Sequence, residues 1–252
     1  DAFRRIGHIE LSVPPRVIAS PETGYRMRAR LHAGDGTLGF LEERSHRVCD
    51  VAGTGQLLPK TEQLVGALAA HVGALVSTGA KTVELAEDLA GDQCVLHVVV
   101  PGGNPATMAG VADALRPMAS VPGVTGLTAA SRMGPGVPQA LAGRPYVTDP
   151  LEAFLGVGVG IASLRRQAGS FFQSNRYLVP ELVEVVAGLA DCDEVVDLYA
   201  GVGLFAVSLA AMRGGRVTAV ERDSSSARDL VSNAAPLASV LRVVRAPVET
   251  YL

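Results

Sequence analysis

The stretch that decides the fold is Val195-Val-Asp-Leu-Tyr-Ala-Gly-Val-Gly-Leu-Phe205. A hydrophobic run of strand type enters a Gly-x-Gly turn here, and the turn opens a helical pattern. Glycines at positions 201 and 203 let a ligand approach the backbone closely, and the first turn of the helix offers unpaired N–H groups. This arrangement predicts a nucleotide site at the carboxyl end of a parallel strand.

Around this turn, strands and helices alternate with short links. Helices are predicted over residues 177–190, 203–212 and 224–234, and strands over residues 194–198, 216–220 and 240–244. Such alternation is typical of a parallel, doubly wound sheet. Three strands are predicted here, where a complete sheet of this kind has about six. The sequence therefore predicts the first half of an α/β domain.

Glu221 lies twenty residues beyond Gly201, at the end of the next predicted strand. An acid at that place can accept hydrogen bonds from a ribose. Strand, turn, helix, strand and terminal acid in this order predict an adenosine site. The plainer alternative is a tight turn followed by a solvated acid.

Two nucleotide cofactors compete for such a site. A dinucleotide site prefers G-x-G-x-x-G, but Ala206 stands where the third glycine would be. Asp197 lies four residues before Gly201, and the resulting Asp-x-x-x-Gly-x-Gly pattern is typical of S-adenosylmethionine-dependent methyltransferases. The pattern therefore favours S-adenosylmethionine over NAD.

The first two-thirds of the chain reads as mixed strands and helices. The turn signal Gly34-Asp-Gly36 between residues 26–33 and 37–41 predicts a hairpin. Helices are predicted over residues 61–76 and 105–118, strands over 81–87 and 93–100, and a strand with an irregular loop over 121–144. Arg26, Arg28 and Arg30 alternate, so their side chains share one face and can meet phosphates. The alternative is a solvated edge strand kept soluble by charge.

Composition narrows the classes of protein. Of the 252 residues, 48% are hydrophobic and 19% charged, which suits packed cores, and no apolar stretch approaches a membrane-spanning length. The net charge of −3 leaves RNA binding to local basic patches. Cys49, Cys94 and Cys192 lie far apart without C-x-x-C spacing, so neither disulfides nor a metal site is expected, and a cytoplasmic location fits.

A third motif lies just before the α/β half, at Ser170-Phe-Phe-Gln-Ser-Asn-Arg176. Alone, it is equally consistent with Asn175 accepting from backbone N–H groups at a helix start. Together with the glycine turn and with Tyr25-Arg-Met-Arg-Ala-Arg30 and Leu38-Gly-Phe40, it resembles the RNA uracil-C5-methyltransferases, which modify transfer and ribosomal RNA. The segment is similar to the family's Phe-x-Gln-x-Asn.

The resemblance implies a fold and a set of site residues. The fold would be a mixed α+β central domain over residues 1–168, which positions RNA, followed over residues 169–252 by the first half of a Rossmann-like class I methyltransferase domain. The expected cofactor-binding residues are Gln173, Asp197, Tyr199, Gly201, Gly203 and Glu221. The expected RNA-binding residues are Arg26, Arg28, Arg30 and Asn175.

Two departures from the family pattern carry expectations of their own. Many members hold an iron–sulfur cluster, but residues 51–59 contain no cysteine and no cysteine trio precedes them, so we expect no cluster. Many members carry Asn after the second glycine of the turn, where this chain has Leu204. That substitution puts one polar contact to the cofactor in doubt.

The chemistry of the family also sets an expectation about the catalytic residues. Carbon 5 of neutral uracil is a poor nucleophile, so a thiolate must add to carbon 6 and a base must later remove the carbon 5 proton. None of the three cysteines fits this role, so we expect no catalytic residue here and a nucleophile beyond Leu252, in a longer enzyme. The alternatives are a methyltransferase for small molecules or exocyclic amines, and a noncatalytic RNA-binding module.

Overall fold

The computed structural model describes residues 2–102, 105–133, 138–156, 158 and 163–252 of the chain. A mixed sheet forms the first part. Its strands are β1 (Arg28–Gly34), β2 (Thr37–Leu41), β3 (Val48–Asp50), β4 (Thr82–Glu87), β5 (Cys94–Val100), β6 (Gly126–Ser131) and β7 (Gln139–Gly143). They lie in the order β3-β2-β1-β4-β5-β6-β7, with β5 and β6 parallel and the other neighbours antiparallel.

The predicted hairpin is confirmed as β1 and β2. Asp35 and Gly36 both have positive φ, at +50° and +76°, as the tight hairpin turn with right-handed twist requires. β1 lies inside the sheet, between β2 and β4. The alternative of a solvated edge strand is therefore wrong, because both sides of β1 are hydrogen-bonded.

Helices cover this first sheet. They are α1 (Ala2–Arg5), α2 (Pro59–Leu68), α3 (Val72–Ser77) and α4 (Pro105–Leu115), with 3-10 turns at Ala69–His71 and Arg116–Ser120. The helix predicted over residues 61–76 is thus present with a 3-10 turn in its middle. Leu64, Leu68 and Leu75 lie on its buried side and pack in one cluster with Val83 and Leu96 of the sheet.

A two-stranded ribbon follows the first sheet and was not predicted. It pairs β8 (Tyr146–Asp149) with β9 (Leu164–Gln167) antiparallel, and α5 (Glu152–Leu155) lies between them in the chain. Polar Arg166 and Gln167 are buried in β9, so the strand lacks the apolar alternation that would reveal it. β7 was also not predicted as a separate strand, because a single strand with an irregular loop was expected over residues 121–144, where β6 and β7 both lie.

The predicted parallel sheet is confirmed. Its elements are α6 (Leu178–Leu189), β10 (Glu194–Leu198), α7 (Leu204–Arg213), β11 (Arg216–Val220), α8 (Ser224–Ala234), β12 (Leu241–Val244) and α9 (Val248–Tyr251). The strands lie in the order β10-β11-β12, and both pairs are parallel. Sequence periodicity located every strand and helix from α6 to β12 to within one residue at each end.

A second hydrophobic cluster holds this α/β unit together. Val183 of α6, Val207 of α7 and Leu230 of α8 belong to it. Phe154 and Leu164, which precede residue 169, pack into the same cluster. The ribbon therefore shares its core with the α/β unit. The domain boundary predicted at residue 168 was placed by the sequence motifs, and it stays a prediction.

Two properties of the described residues bear on the class of protein. Within them, no helix has the length and apolar character of a membrane span. No group of three His, Cys, Asp or Glu side chains in the same part of the chain is arranged to hold a metal ion.

Candidate cofactor and RNA site

The glycine turn joins β10 to α7 and is fixed by backbone hydrogen bonds. Ala200 N–H donates to the Val220 carbonyl of β11 at 3.0 Å, and Gly203 N–H donates to the Ala200 carbonyl at 2.9 Å. Gly201 and Gly203 have φ of +58° and +95°. Both values lie where L-residues other than glycine are strained, so the chain needs glycine here to turn into α7.

The two glycines differ in their surroundings. A Cβ built on Gly203 would lie 2.6 Å from Leu230 Cδ1, so α8 packs directly on that position. A Cβ built on Gly201 would have the Phe171 carbonyl oxygen, 3.9 Å away, as its only neighbour within 4 Å among the described residues. The space beside Gly201 is therefore open, and the backbone of the Phe171–Asn175 motif borders it.

Glu221 lies against this turn. Its carboxylate accepts from the Gly201 N–H at 2.8 Å and from the Asp223 N–H at 2.6 Å. A carboxylate has about four lone-pair positions, so two accepted backbone bonds leave room for a sugar hydroxyl. The next acid, Asp223, accepts from Ser225 and Ser226 N–H and caps α8. The predicted acid and the predicted glycine turn are thus in direct contact.

Asp197 anchors the start of α7. Its carboxylate accepts from the Ala206 N–H at 3.1 Å, one of the N–H groups that the first helical turn leaves without a partner. Burial raises the pKa of Asp197 to about 6, and the nearby Glu221 charge acts in the same direction, while the bond from Ala206 opposes them. Asp197 therefore stabilises the glycine turn indirectly, through its hydrogen bond to the backbone of α7.

Tyr199 lies at the carboxyl end of β10 with its side chain 70% exposed. Its φ of +59° is unusual for a residue with a Cβ, and such conformations concentrate at functional sites. Its hydroxyl donates to Glu249 Oε1 at 3.2 Å, and this hydrogen bond raises the pKa of Tyr199. The ring is thus presented to solvent beside the glycine turn.

Gln173 borders a cavity of about 360 Å³ between its own segment and one side of α6. The lining is mostly apolar, with Ile18, Leu178, Leu182 and Val185 among its residues. Phe171, two residues earlier, is 65% exposed, and its backbone carbonyl faces Gly201. Sequence reasoning did not single out Phe171, although an exposed aromatic residue within the motif was a usable signal.

Asn175 is occupied by the fold in this structure. Its side-chain oxygen accepts from the Tyr177 and Leu178 N–H groups at 3.1 and 3.3 Å, and its Nδ2 donates to Ser20 Oγ at 2.9 Å. The helix-start alternative named for Asn175 is therefore confirmed. Its RNA contact stays a prediction.

Arg28 and Arg30 of β1 share one face, and that face contains an acid, whereas Arg26 precedes the strand and bridges to Asn175. Arg28 and Arg30 both bind the Glu84 carboxylate, at 2.9 and 2.7 Å. Glu84 lies opposite Arg30 in the β1–β4 register. The Arg26 guanidinium lies 5.5 Å from the centre of the Phe40 ring. One carboxylate thus offsets part of the positive charge.

None of the cysteines lies at the carboxyl ends of the parallel strands. Cys94 is buried in β5, and burial raises the pKa of its thiol well above its ordinary value. Cys49 is half-buried in β3, and the exposed Cys192 precedes β10 at the opposite end of that strand. A protonated, buried thiol is a poor nucleophile. That none of the three is the nucleophile stays a prediction.

Known proteins share both sequence and fold with this chain. A 23S rRNA (uracil(747)-C(5))-methyltransferase of Pyrococcus abyssi is 34% identical over 93 residues, which are 37% of this chain and 20% of that protein. The 23S rRNA (uracil(1939)-C(5))-methyltransferase RlmD of Halomonas elongata is 29% identical over 242 residues, covering 90% of this chain and 47% of its own length. The chain thus spans about half or less of these relatives.

The fold gives a matching result. The crystal structure of the Pyrococcus abyssi tRNA (uracil-54, C5)-methyltransferase, in complex with S-adenosyl-L-homocysteine, aligns with a TM-score of 0.64 and 17% identity. The alignment covers 90% of this chain and 56% of that one. No family model matches the chain. The chain is thus similar in sequence to RNA uracil-C5-methyltransferases and shares its fold with the solved structure of one of them.

Proposed function

We propose that this chain binds S-adenosylmethionine and RNA, and that it serves methyl transfer to carbon 5 of uridine in transfer or ribosomal RNA. The observation that carries the proposal is the contact between the Glu221 carboxylate and the Gly201 N–H, with open space beside that glycine. A ribose acceptor and a backbone without a side chain, at the ends of two neighbouring strands, are what an adenosine needs. The named functions of the relatives supply the reaction class.

The proposed cofactor site uses the residues around the turn in distinct ways. Glu221 would accept from the ribose, Gly201 would let the ligand lie against the backbone, and Tyr199 and Gln173 would border it. Asp197 and Gly203 support the turn, through the Ala206 N–H and the packing of Leu230 respectively. S-adenosylmethionine, when bound, supplies the methyl group. The remaining work of this chain is to orient it and to present RNA.

The proposed RNA contact is the arginine face of the hairpin. Arg28 and Arg30 lie on one side of β1, Arg26 lies two residues before Arg28, and the Arg30 side chain is 62% exposed. Charged guanidinium groups on one strand can meet successive phosphates. Single-stranded or loop RNA suits the reaction, because the target base must leave its stack to reach a methyl donor.

The covalent step needs a nucleophile and a base. A thiolate must add to carbon 6 of the uracil, and a base must take the carbon 5 proton after methyl transfer. Cys49 and Cys94 belong to the first sheet, and Cys192 lies at the amino end of β10. We therefore propose no catalytic residue among those present. We place the activity in the cytoplasm, where free thiols stay reduced.

The test uses the full-length protein that contains this chain and RNA transcribed with uridine tritiated at carbon 5. Methyl transfer to carbon 5 releases that tritium to water, in step with methyl incorporation. Release that depends on S-adenosylmethionine is the expected result. Methyl incorporation without tritium release would instead indicate an exocyclic amine or another position, and RNA binding with neither product would indicate a noncatalytic module.

A further inference from the structure

Helix α8 buries three polar residues, and two of them, Asp229 and Asn233, lie on one face and bond to segments outside the helix. Asp229 is fully buried and Asn233 is 4% exposed, and their spacing of four residues places them one helical turn apart. Buried polar groups require partners, so their hydrogen bonds show what the helix holds. Neither residue belongs to the motifs that identify the cofactor site.

Asp229 holds the chain just before the Phe171–Asn175 motif. Its carboxylate accepts from the Gln167 N–H at 2.8 Å, from Gln167 Nε2 at 3.3 Å, from Arg165 Nε at 3.2 Å and from Ser170 Oγ at 3.0 Å. All four bonds go to residues 165–170. The last of them lies three residues from Gln173.

Asn233 joins the same ribbon to the glycine turn. Its Oδ1 accepts from the Arg165 N–H at 2.9 Å, and its Nδ2 donates to the Arg165 carbonyl at 2.8 Å. The same Nδ2 donates to the carbonyl of Val202, between the two turn glycines, at 2.8 Å. Leu230, between the two polar residues in sequence, packs on Gly203.

One helix thus contacts both walls of the candidate site. It touches the glycine turn through Leu230 and Asn233, and it holds the approach to Gln173 through Asp229. The space beside Gly201 lies between these walls, since the Phe171 carbonyl is the nearest atom across it. A shift of α8 against either wall would change the width of that space.

We propose that Asp229 and Asn233 are positioning residues, which set the distance between the Gln173 segment and the glycine turn without touching the ligand. This inference rests on the proposed function, because it assumes that the cofactor lies between those two walls. It adds a specific claim: Asp229 acts through Gln173.

The test is a double-mutant cycle in the full-length protein, with S-adenosylhomocysteine titrated calorimetrically. Asp229→Asn keeps the side-chain size but places an amide NH₂ group against N–H and O–H donors. We therefore expect the affinity for S-adenosylhomocysteine to fall about tenfold. Gln173→Ala should also weaken binding. In the Gln173→Ala background, Asp229→Asn should then have little further effect, because the contact through which it acts is gone.

Controls separate this result from general destabilisation. Ser232→Ala on the same helix removes only a bond to the Arg228 carbonyl and should leave affinity unchanged. Ser170→Ala, which removes one of the four donors, is the milder variant should Asp229→Asn fail to fold, and it should show the same non-additivity with Gln173→Ala. Titrations are run well below the unfolding midpoint of every variant.

Two outcomes would overturn the inference while leaving the proposed function intact. One is additive losses from Asp229→Asn, or from Ser170→Ala, and Gln173→Ala. The other is an unchanged affinity in Gln173→Ala while Glu221→Ala still loses binding. Absence of S-adenosylhomocysteine binding by the unmodified protein would overturn the proposed cofactor site itself, and the inference with it.

Discussion

At the scale of single residues, Glu221 links the end of β11 to the glycine turn through its hydrogen bond from the Gly201 N–H. We expect Glu221→Ala to weaken S-adenosylhomocysteine binding by about 1.5–3 kcal/mol, because the ribose loses a charged acceptor. Isothermal titration measures this loss. Glu43→Ala, which removes an acid whose side chain is 85% exposed in the first part of the chain, is the matched control. An unchanged affinity in folded Glu221→Ala would remove Glu221 from the site.

Asp197 makes a prediction about pH. Its pKa is raised to about 6 from an ordinary value of 3.8, because burial disfavours its charged form. Stability from this group is therefore full below about pH 4 and is lost as pH rises through about 6. In Asp197→Asn the side chain stays neutral and can still accept from the Ala206 N–H. The unfolding free energy of this variant, relative to that of the unmodified chain, should therefore rise by about 2 kcal/mol as the pH increases across that range.

Urea unfolding of both forms at several pH values between 4 and 7.5 measures this difference. The comparison cancels the titration of the other acids, which both forms share. A constant difference across the range would show that Asp197 does not titrate there. A difference that falls with rising pH would contradict the sign of the shift.

At the scale of elements, the two glycines that lead into α7 should fail in different ways. Gly203→Ala brings a Cβ to 2.6 Å from Leu230 Cδ1 at a φ of +95°, so we expect a loss of about 2–4 kcal/mol in unfolding free energy. Gly201→Ala meets no such contact, so its cost is only the left-handed backbone, about 1–2 kcal/mol.

For cofactor binding we expect the opposite order. Relative to the stability that each variant loses, Gly201→Ala should weaken binding more than Gly203→Ala. The Cβ of Gly201→Ala enters the open space beside the Phe171 carbonyl, so cofactor affinity should fall even though the protein stays folded. Leu230→Ala combined with Gly203→Ala should relieve the clash with the Leu230 side chain but not the backbone strain at position 203, so part of the lost unfolding free energy should return. Equal stability losses at both positions would contradict this account of the turn.

At the scale of the whole molecule, the α/β unit and the first sheet are joined by buried ion pairs. Arg176, just after the Gln173 segment, binds Glu87 of β4 at 2.5 Å. Arg166 of β9 binds Asp149 within the ribbon at 3.0 Å and also donates to the Glu87 carbonyl of the first sheet. All four side chains are nearly inaccessible. Burial raises the pKa of both acids and lowers that of Arg166, against the attraction of their partners. The arginine face and the cofactor turn therefore belong to one connected framework.

RNA binding through that framework gives a prediction about salt. Arg30→Ala should weaken RNA binding and reduce the slope of log K against log salt by about one, because each phosphate contact releases about one counterion. Arg116→Ala is a close match, since Arg116 is 61% exposed and also pairs with an acid, Asp113. Filter binding at several salt concentrations distinguishes them. Equal slopes for the two variants would remove Arg30 from the RNA surface.

Much of the fold was accessible from the sequence because it depends on local features. The Asp35-Gly36 turn, the apolar periods of α6 and α7, and the short links between strands each act over a few residues. The ribbon of β8 and β9 was missed for the opposite reason. Its buried Arg166 and Gln167 look like surface residues until Asp149 and Asp229 are known to face them.

The sequence by itself determined the order of the parallel unit, the glycine turn and the acid that follows it, since hydrophobic period and turn chemistry are written in neighbouring residues. Only the tertiary structure decided which polar groups meet. It placed Glu84 between two arginines, Asn175 against Ser20, and Asp229 under the Gln173 segment. The reason is physical: a buried polar side chain is stable only with partners, and those partners come from residues far away in the chain.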